Sequence, residues 1–513
     1  MAFDRMENAY FGTSVDLQNS RLIVGAPRSN FDTSQGNTVI EAGAAYIYEL
    51  DTTGNYSSVS KIGAHDASSA DSYGIAVGIF EKTAIVGSFN DDTDINGSNF
   101  LNGAGSAYIY ELDSANGSWI QTQKIVPSDR EAGANFGWRV AIDDGTIIVS
   151  APEESKDSIG LNPINNSGAI YIYNKDSSGT WSEKQKITAF DREQGDFFGE
   201  SISIHDDGII VGAFGDNEDE NGNNTLISSG SAYIFKKSSD TTWSFQQKIA
   251  ASDRAVADKF GNGVSIYKNT LVVAASQEDE DSNGLNTLSG SGSIYIFQKD
   301  SNGIWQETQK LTASDRLSLA NFGFSVSLDE RFLSVGAHKM TVDTGVTPFS
   351  AGATYIFRRD SLGTYTEESK VYGSDPTLDD EFGYSVAVDS SLIAVGAWSQ
   401  PLDSASQNFL NETGAVYLFR YDQSVGIVDL MQGLKGLLAY PNPTNSEFHI
   451  NLGQKFRQLR MTIFNSEGRL ISEQQFLNTA VITSQWNAPS GLYFIQVYSE
   501  NKYLGSSKIV FSK

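Results

Sequence analysis

Phe198-Gly199-Glu200-Ser201-Ile202-Ser203-Ile204-His205-Asp206-Asp207-Gly208-Ile209-Ile210-Val211-Gly212-Ala213 is the stretch that decides the fold. An aromatic-Gly pair opens it, and Ser201 to Ile204 then alternates polar and apolar, as a half-buried strand does. Asp206-Asp207-Gly208 supplies the tight turn of a hairpin, and Ile209 to Ala213 is an apolar run of a strand buried on both faces.

The same unit recurs along the chain. Aromatic-Gly pairs stand at Phe11-Gly12, Tyr73-Gly74, Phe136-Gly137, Phe198-Gly199, Phe260-Gly261, Phe322-Gly323 and Phe382-Gly383, 60 to 63 residues apart. Each unit adds a third strand of the type Gly43-Ala44-Ala45-Tyr46-Ile47-Tyr48. A fourth follows, as from Trp181 to Ile187, ending near an Asp-Arg pair. Four short antiparallel strands repeated seven times, each unit too small to bury its own faces, predict an all-β, seven-bladed β-propeller. No segment has a sustained helical period. Phe-Gly, then Val24-Gly25-Ala26-Pro27, then Gly43 to Tyr48 resembles the FG-GAP repeat of integrin α-subunit propellers and of bacterial surface proteins. The resemblance covers residues 1 to about 421.

Met1-Ala2-Phe3-Asp4-Arg5 aligns with Thr188-Ala189-Phe190-Asp191-Arg192, which follows a fourth strand in its own unit. A further outer strand and a signal peptide are therefore expected upstream of Met1. After Tyr421 the repeat stops. Residues 422–436, with Gly426, Gly433 and Gly436, read as a linker, and residues 437–513 as a small C-terminal β-sandwich. Tyr440-Pro441-Asn442-Pro443, Glu447 to Ile450, Met461 to Phe464, the turn Ser466-Glu467-Gly468, Gly491 to Val497 and Lys508 to Val510 resemble, in that order, the C-terminal sorting domain of the type IX secretion system of Bacteroidetes. That resemblance implies export to the outside or outer surface of a Gram-negative cell, with the secretion machinery as a partner.

The chain has 513 residues, of which 48 are Gly, 29 Phe, 22 Tyr and none Cys, so disulfides and thiolate chemistry are excluded. A net charge of −27 disfavours nucleic acid and anionic membrane surfaces as partners and favours cations. No apolar run approaches the roughly 18 residues a membrane helix needs.

Between the second and third strands an Asp recurs in register, at Asp32, Asp94, Asp157, Asp219, Asp281, Asp343 and Asp403. Three of these loops are dense in oxygen ligands: Asp92, Asp94 and Asn96; Asn217, Asp219 and Asn221; Asp279, Asp281 and Asn283, each closed by Gly. Alternating oxygen ligands before a Gly match the first half of a calcium loop, with an expected dissociation constant of roughly 0.1 to 1 mM because no bidentate Glu follows. The other reading is that each Asp caps a turn of its own backbone. In integrins the calcium loop lies between Phe-Gly and Gly-Ala-Pro, so integrin ligands do not transfer by position.

Asp-Arg pairs, including Asp129-Arg130, Asp191-Arg192, Asp253-Arg254 and Asp315-Arg316, sit where one blade passes to the next, and their repetition argues for structural roles. Trp119, Trp181, Trp243 and Trp305 read as packing, or as sugar platforms if exposed. His65, His205, His338 and His449 sit at different phases with no partner at metal-binding spacing, and read as incidental. No catalytic motif is present. The expectation is thus a secreted or cell-surface binding and adhesion propeller, stabilised by calcium, that takes a carbohydrate or protein ligand on its long-loop face. The alternatives are a polysaccharide hydrolase or lyase with paired carboxylates roughly 5 to 10 Å apart at the axis, and a structural surface protein without a ligand.

Overall fold

The computed structural model describes residues 2–511 apart from 3, 33–37, 51–55, 343–348, 403–408, 423–425, 430–438, 441–446, 466–468, 486–488 and 500–501. Met1, Asp343, Asp403, Gly433, Gly436, Pro441-Asn442-Pro443 and Ser466-Glu467-Gly468 therefore lie outside the described residues.

Two units follow one another, Met1–Val428 and Asp429–Lys513. The first is the seven-bladed propeller: seven four-stranded antiparallel sheets, each joined strand to neighbouring strand. In the fourth blade the strands are Ser201–His205, Gly208–Ala213, Ser231–Ser239 and Thr242–Ile249. The first strands of successive blades touch one another all the way round, which makes them the innermost layer and the wall of the axial channel. Second strands are sandwiched between neighbouring blades, and Thr146–Ala151 is buried at every position. This is why they read as unbroken apolar runs rather than alternating ones.

Each conserved feature of the unit has a contact that requires it. Phe198 is buried and meets Tyr233 and Phe235 of its own blade edge-on, with centroids 5.3 and 6.1 Å apart, and the equivalent pairs recur in the other blades. Gly230, at the head of the third strand, has φ +82° and lies so close to the next blade that a Cβ would stand 2.0 Å from the Phe260 carbonyl oxygen. Only glycine fits a left-handed residue packed on backbone. Gln185 in the fourth strand both donates to the Trp243 carbonyl (2.9 Å) and accepts from its amide (2.8 Å), tying the outer edges of neighbouring blades. Trp119, Trp181, Trp243 and Trp305 are 3 to 7% exposed, so they are packing residues and not sugar platforms.

Each Asp-Arg pair faces two ways. Asp191 accepts from Tyr233 (2.9 Å) and Lys248 (2.9 Å) of the blade ahead, while Arg192 donates to the Ser155 carbonyl (2.5 Å) in the blade behind. The ring closes by the same contacts: Phe11 bridges Gly414, and Ser385 Oγ donates to the Gly12 carbonyl (2.8 Å).

One expectation is corrected. The outermost strand of the seventh blade is Gly426–Asp429, so the first part of the stretch read as linker completes the propeller. A strand that needs only one paired edge carries little periodicity of its own, which is why it reads as linker. In the second unit, expected as a β-sandwich, the described strands form one continuous five-stranded sheet. The long hairpin Glu447–Asn465 with Leu470–Gln485 loses register between Asn451 and Phe456, and Phe448 comes to face Phe511 (6.4 Å) within a core that includes Ile450, Met461, Ile463, Ile495 and Val497. Among the described residues no helix is long and apolar enough to cross a membrane.

Candidate functional site

The dense loops are turns that hydrogen-bond to themselves. Asp94 Oδ1 accepts the amides of Asn96 (2.8 Å) and Ser98 (3.0 Å), while Oδ2 accepts the Asn99 side chain. The Ser98 amide, Asn99 and the Asn96 amide together pull its pKa down to about 2. Asp219 takes the amides of Asn221 and Asn223 (both 2.9 Å), and Asp281 those of Asn283 (2.9 Å) and Leu285 (3.0 Å). Asp92, Asn217 and Asp279 each accept one amide from across the loop, from Gly103, Ser228 and Gly290 at 2.7, 2.8 and 2.7 Å. Asp157, without neighbouring ligands, makes the same cap with the amides of Ile159 (3.1 Å) and Leu161 (2.8 Å). Asp94, Asp219, Asp281 and Asp157 thus share one architecture, in which the Asp is the turn cap.

A guanidinium holds the loop carbonyls. Arg130 donates to Asp92 and Asn99 (both 2.8 Å), Arg254 to Asn217 (2.7 Å) and Asn224 (3.2 Å), and Arg316 to Asp279 (2.5 Å) and Asn286 (2.9 Å). The positive charge that clustered carboxylates demand is supplied, in each dense loop, by the arginine of the following Asp-Arg pair.

Sevenfold repetition marks structure, so the place where the repeats stop being alike is where function has room. That place is the mouth of the axial channel on the long-loop face. The residue after each aromatic-Gly pair differs from blade to blade: Trp138, Glu200, Asn262, Phe324 and Tyr384 in the third to seventh blades. Tyr384 stacks edge-on near Trp398 (5.9 Å) and tilts against Phe324 (5.0 Å); Trp398 in turn meets Tyr10 (4.6 Å). This arc of rings runs over blades six, seven and one. On the other side, Arg139 lies over Trp138 (5.1 Å) and pairs with Glu200 (3.8 Å).

The two sides face each other across the axis. Burial raises the pKa of Tyr384, and the charges of Arg139, Glu381, Glu200 and Lys339 act on it as well. Arg139 and Glu200 belong to blades three steps from that of Tyr384, the greatest separation a ring of seven permits, so their charges act on it across the central opening. Burial raises Glu200, with Arg139 opposing the rise. Glu381 is paired with Lys339 and lies 3.6 Å from His338, whose imidazole burial and Lys339 hold neutral, with a pKa of about 3. Each of the two carboxylates therefore has a basic partner.

None of these mouth residues was singled out by sequence reasoning. The signal was present as the one column beside the aromatic-Gly pair that fails to repeat, but convergence across the ring is not a local pattern. His205, read as incidental, is also corrected: it lies between Asp143 and Asp206, 3.9 and 3.4 Å away, and stacks on Tyr267 with centroids 4.4 Å apart. Asp143 is 62 residues earlier, one repeat back at the same strand-end position, but only the packed ring shows that these equivalent positions touch.

Comparison with known proteins agrees with this architecture. The FG-GAP repeat matches residues 1–48, 56–110, 119–173, 181–235, 243–297, 305–357 and 365–419, and the secretion system C-terminal sorting domain matches residues 438–512. A search of curated proteins gives no match. Among solved structures, a proposed 6-phosphogluconolactonase from Bacteroides fragilis is 10% identical over 80% of this chain and 94% of its own, with a TM-score of 0.46. Another from Bacteroides uniformis is 10% identical over 80% and 95%, with a TM-score of 0.47. Saccharomyces cerevisiae Sqt1 is 7% identical over 99% and 97%, with a TM-score of 0.43. At such values none of the three bears on function.

Proposed function

For a chain that belongs to the FG-GAP repeat family and ends in a type IX sorting domain, we infer that the exported, secreted or cell-surface propeller binds a carbohydrate ligand at the mouth of its axial channel. The observation that carries this reading is the ring arc Tyr10, Trp398, Tyr384 and Phe324, faced across the opening by Arg139 and Glu200. Partly exposed aromatic faces present apolar area to the C–H faces of sugar rings, while an Arg-Glu pair offers donors and acceptors to hydroxyls. Binding rather than catalysis is favoured because Glu200 and Glu381 each have a basic partner, so neither is positioned as a free acid or base.

Glycan-array screening of the full chain, followed by titration of the best hit, tests this. Trp398→Ala and Tyr384→Ala are each expected to weaken binding about ten- to hundredfold, on the scale of a lost aromatic anchor. Wild-type affinity in both variants would remove the mouth from the site. A hydrolytic reading would rest on Glu200, the buried carboxyl at the mouth. Cleavage products that disappear in Glu200→Gln would establish it, and binding without cleavage would exclude it for the glycans tested.

We propose calcium only as a weak occupant of the loops of Asp94, Asp219 and Asp281, at a dissociation constant of roughly 0.1 to 1 mM. Millimolar calcium is then expected to raise the melting temperature slightly and reversibly with chelator. An unchanged melting curve removes the ion, since the loops already have arginine and amide partners.

A further inference from the structure

At the far end of the first strands from the aromatic mouth, each blade turns through its tight hairpin. In three of the blades the last residue of the strand accepts the hairpin amide of the next blade, as Asp389 does from Asn19. Gln18 accepts from Glu81 (2.5 Å), and Asp143 from Asp206 (2.6 Å). This bond fixes the Asp206 turn against the end of the third blade. In the fourth blade the strand ends in His205, the only imidazole in this column, and so it falls between the carboxylates of Asp143 and Asp206.

The cluster is not a copy of anything elsewhere in the ring. Among the described residues it is the one place where three His, Asp or Glu side chains each bring a ligand atom within 4.8 Å of the others. His205 Nε2 is shielded from solvent and makes no hydrogen bond, although the Asp206 carboxylate lies 3.4 Å away. Two atoms bound to one metal at about 2.0 to 2.1 Å in tetrahedral geometry stand roughly 3.3 to 3.4 Å apart, so Nε2 and Asp206 already have the separation of two ligands, while Asp143, whose 3.9 Å approach is to Nδ1, closes toward Nε2 as the ion binds. Stacking on Tyr267 at an interplanar angle of 18° holds the ring plane, so the nitrogen is positioned before anything binds. Asp206 is 70% exposed, which leaves the remaining coordination positions open to water.

We propose that Asp143, His205 and Asp206 form a binding site for one divalent transition-metal ion of the zinc type. Imidazole with two carboxylates suits zinc, cobalt, nickel or copper, whereas calcium and magnesium prefer oxygen alone. The surrounding charge favours a cation: Asp144 and Asp207 add to the two ligand carboxylates, against Lys236, which pairs with Asp207, and Lys268, which pairs with Glu330.

The full chain, stripped with chelator and dialysed, is titrated with cobalt(II) and then with zinc at pH 7.5. One cobalt per chain with a tetrahedral d–d absorption, displaced by one zinc, is the expected result. His205→Gln and Asp206→Asn should each weaken binding by at least about tenfold while leaving the metal-free melting temperature unchanged. Affinity should also fall toward acid pH, as protons compete with the ion for its ligands. No binding at micromolar metal, or binding that survives His205→Gln, overturns the proposal; the second outcome would place the ion in another cluster, and the first would leave His205 as an ion-pair partner only.

Discussion

Raising the pH from 5 to 9 is expected to destabilise the propeller, by about 4 kcal/mol through Asp196 alone. Asp196 is 1% exposed, and burial, with the nearby Asp216, Glu218 and Glu193 carboxylates, lifts it from its ordinary 3.8 to about 8. At about 1.4 kcal/mol for each pH unit, the roughly three units between pH 5 and the folded-state value give that figure. The folded chain keeps a proton that the unfolded chain has lost, so this contribution is complete below about pH 4 and disappears as the pH rises through 8. Asp71, Asp258 and Asp380, at the equivalent position of other blades, are pushed to about 7 chiefly by burial and add to the same alkaline limb. Other groups act in the opposite sense. Asp91, although buried, and the exposed Asp315 are held below their ordinary range by Lys124 and Lys370, and their contribution is lost as the pH falls below about 4. Denaturant unfolding from pH 4 to 9 should therefore show greatest stability near pH 5. Asp196→Asn, which keeps an oxygen for the Glu193 amide (2.6 Å), should flatten the alkaline limb. Stability that is level or rising toward pH 9 would overturn the assignment.

Removing the ammonium beside the same carboxylates should be costly. Lys248 is 1% exposed at its side chain, with Nζ 2.9 Å from Asp191, 2.8 Å from Asp216 and 5.3 Å from the centre of the Tyr233 ring. Lys248→Met keeps most of the stem's volume but leaves Asp216 buried and without its cation. A loss of about 3 to 5 kcal/mol is expected at pH 8, the scale of a buried ion pair broken on one side. The loss should shrink toward pH 4, where the stranded carboxyl can take a proton. Adding Asp216→Asn should restore part of it in a double-mutant cycle. A loss below about 1 kcal/mol at pH 8 would mean that water reaches the pair.

Both effects lie on a network that was half visible in the sequence. The Asp-Arg pairs were legible as joints because anything that repeats at each blade boundary is paired with the boundary. The second acid at Asp91, Glu154, Asp216 and Glu278 was not legible, because Ser29, Met340 and Gln400 occupy its column in the other blades. The dense loops show the opposite failure. Their spacing was legible, but the cation beside it, Arg254 for Asn217 and Asn224, is 30 residues and more further on and reaches back only when the blades are packed.

The sequence alone determined the seven blades, their strand order and the exported tail. Those follow from local periods, a glycine at each close approach and an aromatic at each edge-on contact, and local periods are written in neighbouring residues. Only the tertiary structure decided that Gly426–Asp429 finishes the seventh blade, that Tyr384 faces Arg139 and Glu200 across the axis, and that His205 lies between two aspartates. Closing a ring brings together side chains from distant blades, and no spacing along the chain encodes that approach. The propeller was therefore readable before folding, and its candidate sites only after the ring had closed.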